Sequence, residues 1–193
     1  LSRKKLSLLS DIKAEGFKTG DNSFLAGQCD ILILAVLPSQ AEEVVKELAP
    51  LLKKGKHLLL SVVSVVSLED LKRWSGLESV VRVMPNTAAE FGTGMTCISG
   101  DDPDLISEVE AFLAPLGQTM VIKEQLMPAA TIMGACGIAF FLRFIRAVSQ
   151  GGIQIGFHAD EAGMIAAQTA RGAAEILMKT GHHPETEIDK VTT

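Results

Sequence analysis

Apolar and polar positions come in alternating blocks along the first two-thirds of the chain. Residues 30–37 (DILILAVL) form a continuous apolar run, as expected for a strand buried on both faces. Ser39 or Gln40 then opens a helix whose Ala41, Val44, Val45, Leu48 and Leu52 share one face; Pro50 should kink its last turn and Gly55 should stop it. A second buried strand is expected over residues 57–63 (HLLLSVV). A helix over residues 67–75 follows, with Ser67 as N-cap and Asp70 at its third position. Further strands are expected over 79–84, 95–99 and 118–122, with a helix over 103–116. Strand–helix alternation of this kind implies right-handed βαβ units and a mostly parallel sheet.

After about Glu124 the period changes. Residues 128–156 and 159–180 read as two long helices with no strand between them. The second carries Ala162, Ala166, Ala167, Ala170, Gly172, Ala173 and Ala174. Small residues at this density allow close helix approach, either in a tightly packed core or across a subunit interface. The chain therefore divides into an α/β part, residues 1–124, and an all-α part, residues 125–193. Residues 125–142 are uncharged and about as long as a short membrane span. Pro128, Gly134 and Gly137 interrupt them, and Arg143 and Arg146 follow at once, which favours a buried helix of a helical domain.

Composition changes this picture little. Hydrophobic residues make up 47% and charged residues 21%, an ordinary globular balance. The net charge of −5, with no basic tract, argues against nucleic acid as a partner. The 3 cysteines (Cys29, Cys97, Cys136) are scattered, which fits a reducing cytoplasm and neither a disulfide framework nor a zinc site. The 4 histidines show no metal-ligand spacing, and His182-His183 reads as a surface turn before Pro184.

Candidate chemistry lies at strand ends. An open parallel sheet binds ligands outside the carboxyl ends of its strands, where strand order reverses. Three such ends carry unusual residues: Ala35-Val36-Leu37-Pro38, Ser61-Val62-Val63-Ser64 and Met84-Pro85-Asn86-Thr87. An ordinary turn explains each one separately; together they can form a cofactor rim. Asn86 is the foremost candidate, because one amide both donates and accepts. The phosphate-binding GxGxxG pattern is absent, and Gly92-Thr93-Gly94 precedes no helix pattern. The chain starts with Leu and offers no strand before it, so both ends are expected to be cut. On that expectation Arg3 would close a second strand, where it suits a ribose 2′-phosphate; Arg3, Lys4 and Lys5 also read as a solvated helix start.

Several segments resemble the pyrroline-5-carboxylate reductase family: DILILAVLPSQ, VRVMPNTAAEFGTGMTCIS, FFLRFIRAVSQGGIQIGF, AAQTARGAAEIL and KTGHHPETEIDKVTT. The RVMPNT strand end and the closing TGxHP…DKVT are the most specific. The resemblance implies a Rossmann-like NADPH-binding domain, with NADH as an alternative cofactor, followed by an all-α dimerisation domain. It implies a homodimer or higher homo-oligomer, no membrane, a cytoplasmic location and a place in proline biosynthesis. Asn22, Ala35, Val36, Leu37, Pro38, Ser61, Val62 and Val63 would line the cofactor site, with Asn86 near the nicotinamide. Met84, Cys136 and Thr193 would border the substrate. The family usually has Lys where this chain has Leu37, Gly where it has Val65, and Ser-Gly-Ser at the helix start that here reads Gly134-Ala135-Cys136.

The reaction implied is reduction of 1-pyrroline-5-carboxylate to L-proline by hydride transfer to a cyclic imine. An imine that binds already protonated needs no strong general acid, and Glu90 and Asp101 read as loop charges, so Asn86 is given a positioning role. Two rival readings stand beside it. One is a related dehydrogenase of another imino or hydroxy acid; the β-hydroxyacid type carries a catalytic Lys on the interdomain helix, and residues 131–150 contain none. The other is a catalytically dead dimeric scaffold.

Overall fold

The computed structural model describes residues 14–192. The chain divides into two compact units, Leu1–Cys136 and Gly137–Thr193.

Among the described residues, the first unit is built on a sheet of 5 strands in the order β1-β2-β3-β4-β5. These are β1 (Ile31–Leu34), β2 (Leu58–Ser61), β3 (Val80–Met84), β4 (Gly94–Ser99) and β5 (Gly117–Val121). The pairs β1–β2, β2–β3 and β4–β5 are parallel, whereas β3–β4 is antiparallel. The reversal has a simple cause: the few residues between Met84 and Gly94 are too few for a crossover helix. At the start of the β4–β5 pair, a Cβ on Gly117 would lie 2.1 Å from the Gly94 carbonyl oxygen, so only glycine fits there.

Four longer helices cover the sheet connections: α1 (Asn22–Gln28), α2 (Pro38–Leu48), α3 (Leu68–Ser75) and α4 (Pro103–Leu113). Ser67 caps α3 as expected, its Oγ accepting from the Asp70 N–H at 3.0 Å. Pro38 itself begins α2, because a first-turn proline loses no helical hydrogen bond. Around Pro50 the chain tightens into a 3-10 turn, Ala49–Leu51, rather than a kinked α-turn. On one face of the sheet Leu32, Leu34, Leu59 and Val80 pack with Val45 and Leu71. On the other, Leu58, Leu60, Val81, Val83 and Ile98 pack with Ile106 and Val109. Buried His57 links α1 to the start of β2: its Nδ1 accepts from the Lys53 N–H, and Nε2 faces the Ala26 carbonyl at 3.1 Å.

Strand β1 departs from expectation. It spans only Ile31–Leu34 and alternates, with Leu32 and Leu34 buried and Ile31 and Ile33 38% and 54% exposed. Among the described residues it lies at the sheet edge and is covered on one face, so apolar content alone overstated its burial there.

After β5, a 3-10 turn (Glu124–Leu126) leads into α5 (Met127–Ala130) and a π-helical turn, Thr131–Cys136. The second unit comprises α6 (Gly137–Gln154), α7 (Ala159–Thr180) and α8 (Pro184–Val191). Helices α6 and α7 approach closely where Gly152 faces Ala162; a Cβ on Gly152 would sit 3.1 Å from that of Ala162. Ala162 and Ala166 are buried there, while Phe140, Phe141 and Phe144 are 61–70% exposed. The helix expected to be buried is therefore open along its aromatic face within the single chain. The helical run Glu124–Gln154 is long and apolar enough to cross a membrane.

Candidate functional site

Register brings the three unusual strand ends together. Leu34 pairs with Ser61, and Ser61 with Arg82, so β1, β2 and β3 finish side by side. Ala35, Val36, Leu37 and Pro38 leave β1 at this rim, Ser61, Val62 and Val63 leave β2, and Met84 and Asn86 leave β3. Several of these side chains serve the fold. Val63 is in the core with Leu59 and Leu71, and Met84 packs on Cys97 and Met127. Ser61 is fully buried, and its Oγ accepts from the Val63 N–H at 3.3 Å. Contact with a ligand from Val63 or Met84 would have to come from the backbone. Leu37, by contrast, is 66% exposed.

Asn86 ends β3 in an extended conformation and starts the 3-10 turn Thr87–Phe91, its Oδ1 accepting from the Ala88 N–H at 3.2 Å. Its Nδ2 donates to the Gly134 carbonyl at 3.3 Å. Gly134 lies within the π turn, and π turns recur at functional sites because they shift backbone groups out of the ordinary helical ladder. The Asn86 amide thus ties the strand end to the start of the helical run and keeps one N–H and one acceptor position for a ligand. Cys136 follows two residues later and is exposed, whereas burial pushes the Cys97 thiol pKa up.

A charged pair that sequence reasoning missed stands behind the rim. Arg82, 5% exposed in the middle of β3, donates from Nη1 to Glu124 Oε1. The same carboxylate oxygen accepts from the Leu68 N–H at 3.0 Å, at the start of α3. A lone charge inside the apolar run VVRVM was the available signal, since a charge on a buried strand needs a partner.

Val65 follows β2 in the left-handed region, φ 58°, with its side chain 85% exposed. A β-branched residue there is strained. Of the other residues singled out, Asn22 opens α1, and Arg3 and Thr193 lie outside the described residues.

A cleft of about 730 Å³ lies at the opposite end of the sheet, the amino-terminal end of β1–β3, lined in part by Asp30, His57, Lys72, Glu78, Asp101 and Phe112. Its charges are largely paired with one another: Lys72 Nζ lies 2.8 Å from Asp101 and 3.2 Å from Glu78. Open α/β sheets bind ligands at the other end.

Comparison with known proteins agrees with the geometry. A family model described as pyrroline-5-carboxylate reductase dimerisation matches residues 124–193. The chain is 39% identical over its whole length to pyrroline-5-carboxylate reductase 2 of Dictyostelium discoideum, covering 71% of that protein. It is 39% identical to pyrroline-5-carboxylate reductase 1 of the same organism, again over its whole length, and spans 38% of that longer protein. A pyrroline-5-carboxylate reductase from Coxiella burnetii superposes with a TM-score of 0.88 at 26% identity, over 100% of this chain and 74% of that one. The Plasmodium falciparum pyrroline carboxylate reductase, solved with NADP bound, superposes with a TM-score of 0.83 at 26% identity, over 92% and 69%.

Proposed function

The chain belongs to the pyrroline-5-carboxylate reductase family, and from that premise we propose that it serves in an enzyme reducing 1-pyrroline-5-carboxylate to L-proline with NADPH, or with NADH. The observation that carries this reading is Asn86, placed at the carboxyl end of β3 and bonded to the π turn. NADP bound to the Plasmodium relative supports the cofactor assignment.

The rim suits the nicotinamide end of such a cofactor. Residues 35–38, 61–65 and 84–87 carry no charged side chain. They offer a neutral amide at Asn86 and exposed apolar surface at Leu37 and Val65. A carboxamide needs one donor and one acceptor, which Asn86 retains. When bound, the cofactor supplies the hydride. The chain's own part is positional: Asn86 orders the strand end against the Gly134 turn, which would help fix where the imine ring lies relative to the bound cofactor. Cys136 and the Met84 backbone border that space; Ser61, Val62, Val63, Ala35, Val36, Leu37 and Pro38 frame the cofactor. Asn22 is assigned to the cofactor site and Thr193 to the substrate carboxylate on the family resemblance, and Arg3 to a ribose 2′-phosphate on its place in the sequence.

We also assign residues 1–124 to cofactor binding and 125–193 to substrate binding and dimerisation. The aromatic face of α6 would then be covered by a second copy rather than by lipid, and the enzyme would be cytoplasmic. The family match over residues 124–193 supports this. The test is oxidation of NADPH by the full-length protein, dependent on the imine and reduced at least tenfold in Asn86→Ala; a variant that turns over normally would remove Asn86 from the mechanism.

A further inference from the structure

The Arg82–Glu124 pair is largely buried, with the Glu124 side chain 27% exposed, unused by the chemistry above and incompletely satisfied: among the described residues neither Arg82 Nε nor Glu124 Oε2 has a hydrogen-bond partner. Such a pair is a poor stabiliser, because well-packed apolar residues commonly do as well or better in its place. Its surroundings nevertheless make room for it. Arg82 pairs across the sheet with Ser61 on one side and Ser99 on the other. Both are small and buried, so a polar row crosses an otherwise apolar sheet face.

The pair also has a counterpart. Asn86 stands four residues beyond Arg82, about 13 Å along an extended chain. Gly134 stands ten residues beyond Glu124, about 15 Å along a helix. The two polar contacts therefore have matching separations on both sides. Between them Met84 and Cys97 pack on Met127, with Ala130 and Ala135 against the same cluster. Met127 is completely buried. Glu124 adds a third element through the Leu68 N–H, at the end of the connection that carries Val63 and Val65.

We propose that Arg82 and Glu124 are positioning residues that pin the segment 124–136 along β3, so that the π turn meets Asn86 in one register. This rests on the function proposed above for its catalytic consequence, but not for its structural one. An apolar contact alone tolerates sliding; a buried charge with one partner does not, since a shifted register leaves both ions unpaired.

The test uses the full-length protein and two variants. In Arg82→Met/Glu124→Met the charge pair is replaced by residues of similar length. Its thermal midpoint should equal or exceed that of the parent. Backbone amides of residues 131–136 should nonetheless exchange with deuterium at least tenfold faster. In the active enzyme kcat should fall about tenfold while the cofactor KM moves less than threefold. Glu124→Gln, which keeps an acceptor for the Leu68 N–H, should show the same changes in smaller measure if the double variant does not fold. Unchanged exchange at 131–136 in the folded variants, with unchanged kcat, would overturn the proposal and leave the pair as structural only. The exchange measurement needs no substrate, so it decides the positioning role even if the parent shows no imine-dependent turnover.

Discussion

The side-chain amide of Asn86 reaches across the fold to the carbonyl of Gly134, 48 positions further along the chain, at 3.3 Å. A strand end that interrupts an apolar run with Pro-Asn-Thr is thereby joined to the one described turn that leaves α-helical geometry for the π form.

That relationship separates two uses of the same side chain. Asn86→Asp keeps the acceptor for the Ala88 N–H but sets a carboxylate oxygen against the Gly134 carbonyl. Turnover should therefore fall in Asn86→Asp about as far as in Asn86→Ala, roughly tenfold or more. Loss of the two hydrogen bonds in the alanine variant should cost about 1–3 kcal/mol of stability. Single-turnover hydride transfer and thermal unfolding check both; an active Asp variant would show that the donor is not needed.

Val65 stores strain. A left-handed conformation costs an L-residue about 1–2 kcal/mol, while glycine adds back about 0.5–1 kcal/mol through unfolded-chain entropy. The Val65 side chain is largely exposed and loses little packing when removed. Val65→Gly should raise the melting midpoint by about 2–4 °C for a chain of this size. A lowered midpoint in calorimetry would mean that the valine makes a contact outweighing its backbone strain.

Lys72 sets a pH dependence at the far end of the sheet. Its hydrogen bond to Asp101 holds its pKa above the ordinary lysine value, against the opposing effect of partial burial, and Glu78 adds to the rise. A raised folded-state pKa contributes stability that is complete below the unfolded value and disappears as pH rises through the folded one. Lys72→Met should therefore be less stable than the parent at neutral pH, by under about 1 kcal/mol since both carboxylates are largely exposed. The difference should close as pH rises through the raised folded-state value in urea titrations; a gap that persists once Lys72 is neutral in both states would place the effect in packing instead.

The open aromatic face of α6 makes a prediction about assembly. Sedimentation of the full-length protein should show a dimer or a multiple of it, and Phe141→Glu should shift it toward monomer. Partition of the parent into lipid vesicles, with no dimer in solution, would favour a membrane role for the run Glu124–Gln154.

Much of the fold was legible because its cause is local. Buried apolar runs marked β2 and β3, Ser67 with Asp70 marked the start of α3, and the loss of strand periods after Glu124 marked the helical part. Features settled by tertiary context were not legible. The half-exposure of β1 depends on what covers each sheet face. The antiparallel β4, by contrast, could have been read from the short link after Met84, which leaves no room for a crossover helix. The π turn leaves no period to read in six residues. At the candidate site the same division holds: Asn86 stood out through its neighbours in sequence, whereas its bond to Gly134 and the Arg82–Glu124 pair join residues more than forty positions apart.

The central claim is tested most directly by following NADPH oxidation in the full-length protein with and without 1-pyrroline-5-carboxylate. The account predicts oxidation that depends on the imine, with L-proline formed in equal amount. NADPH bound but not oxidised in the presence of the imine would contradict it.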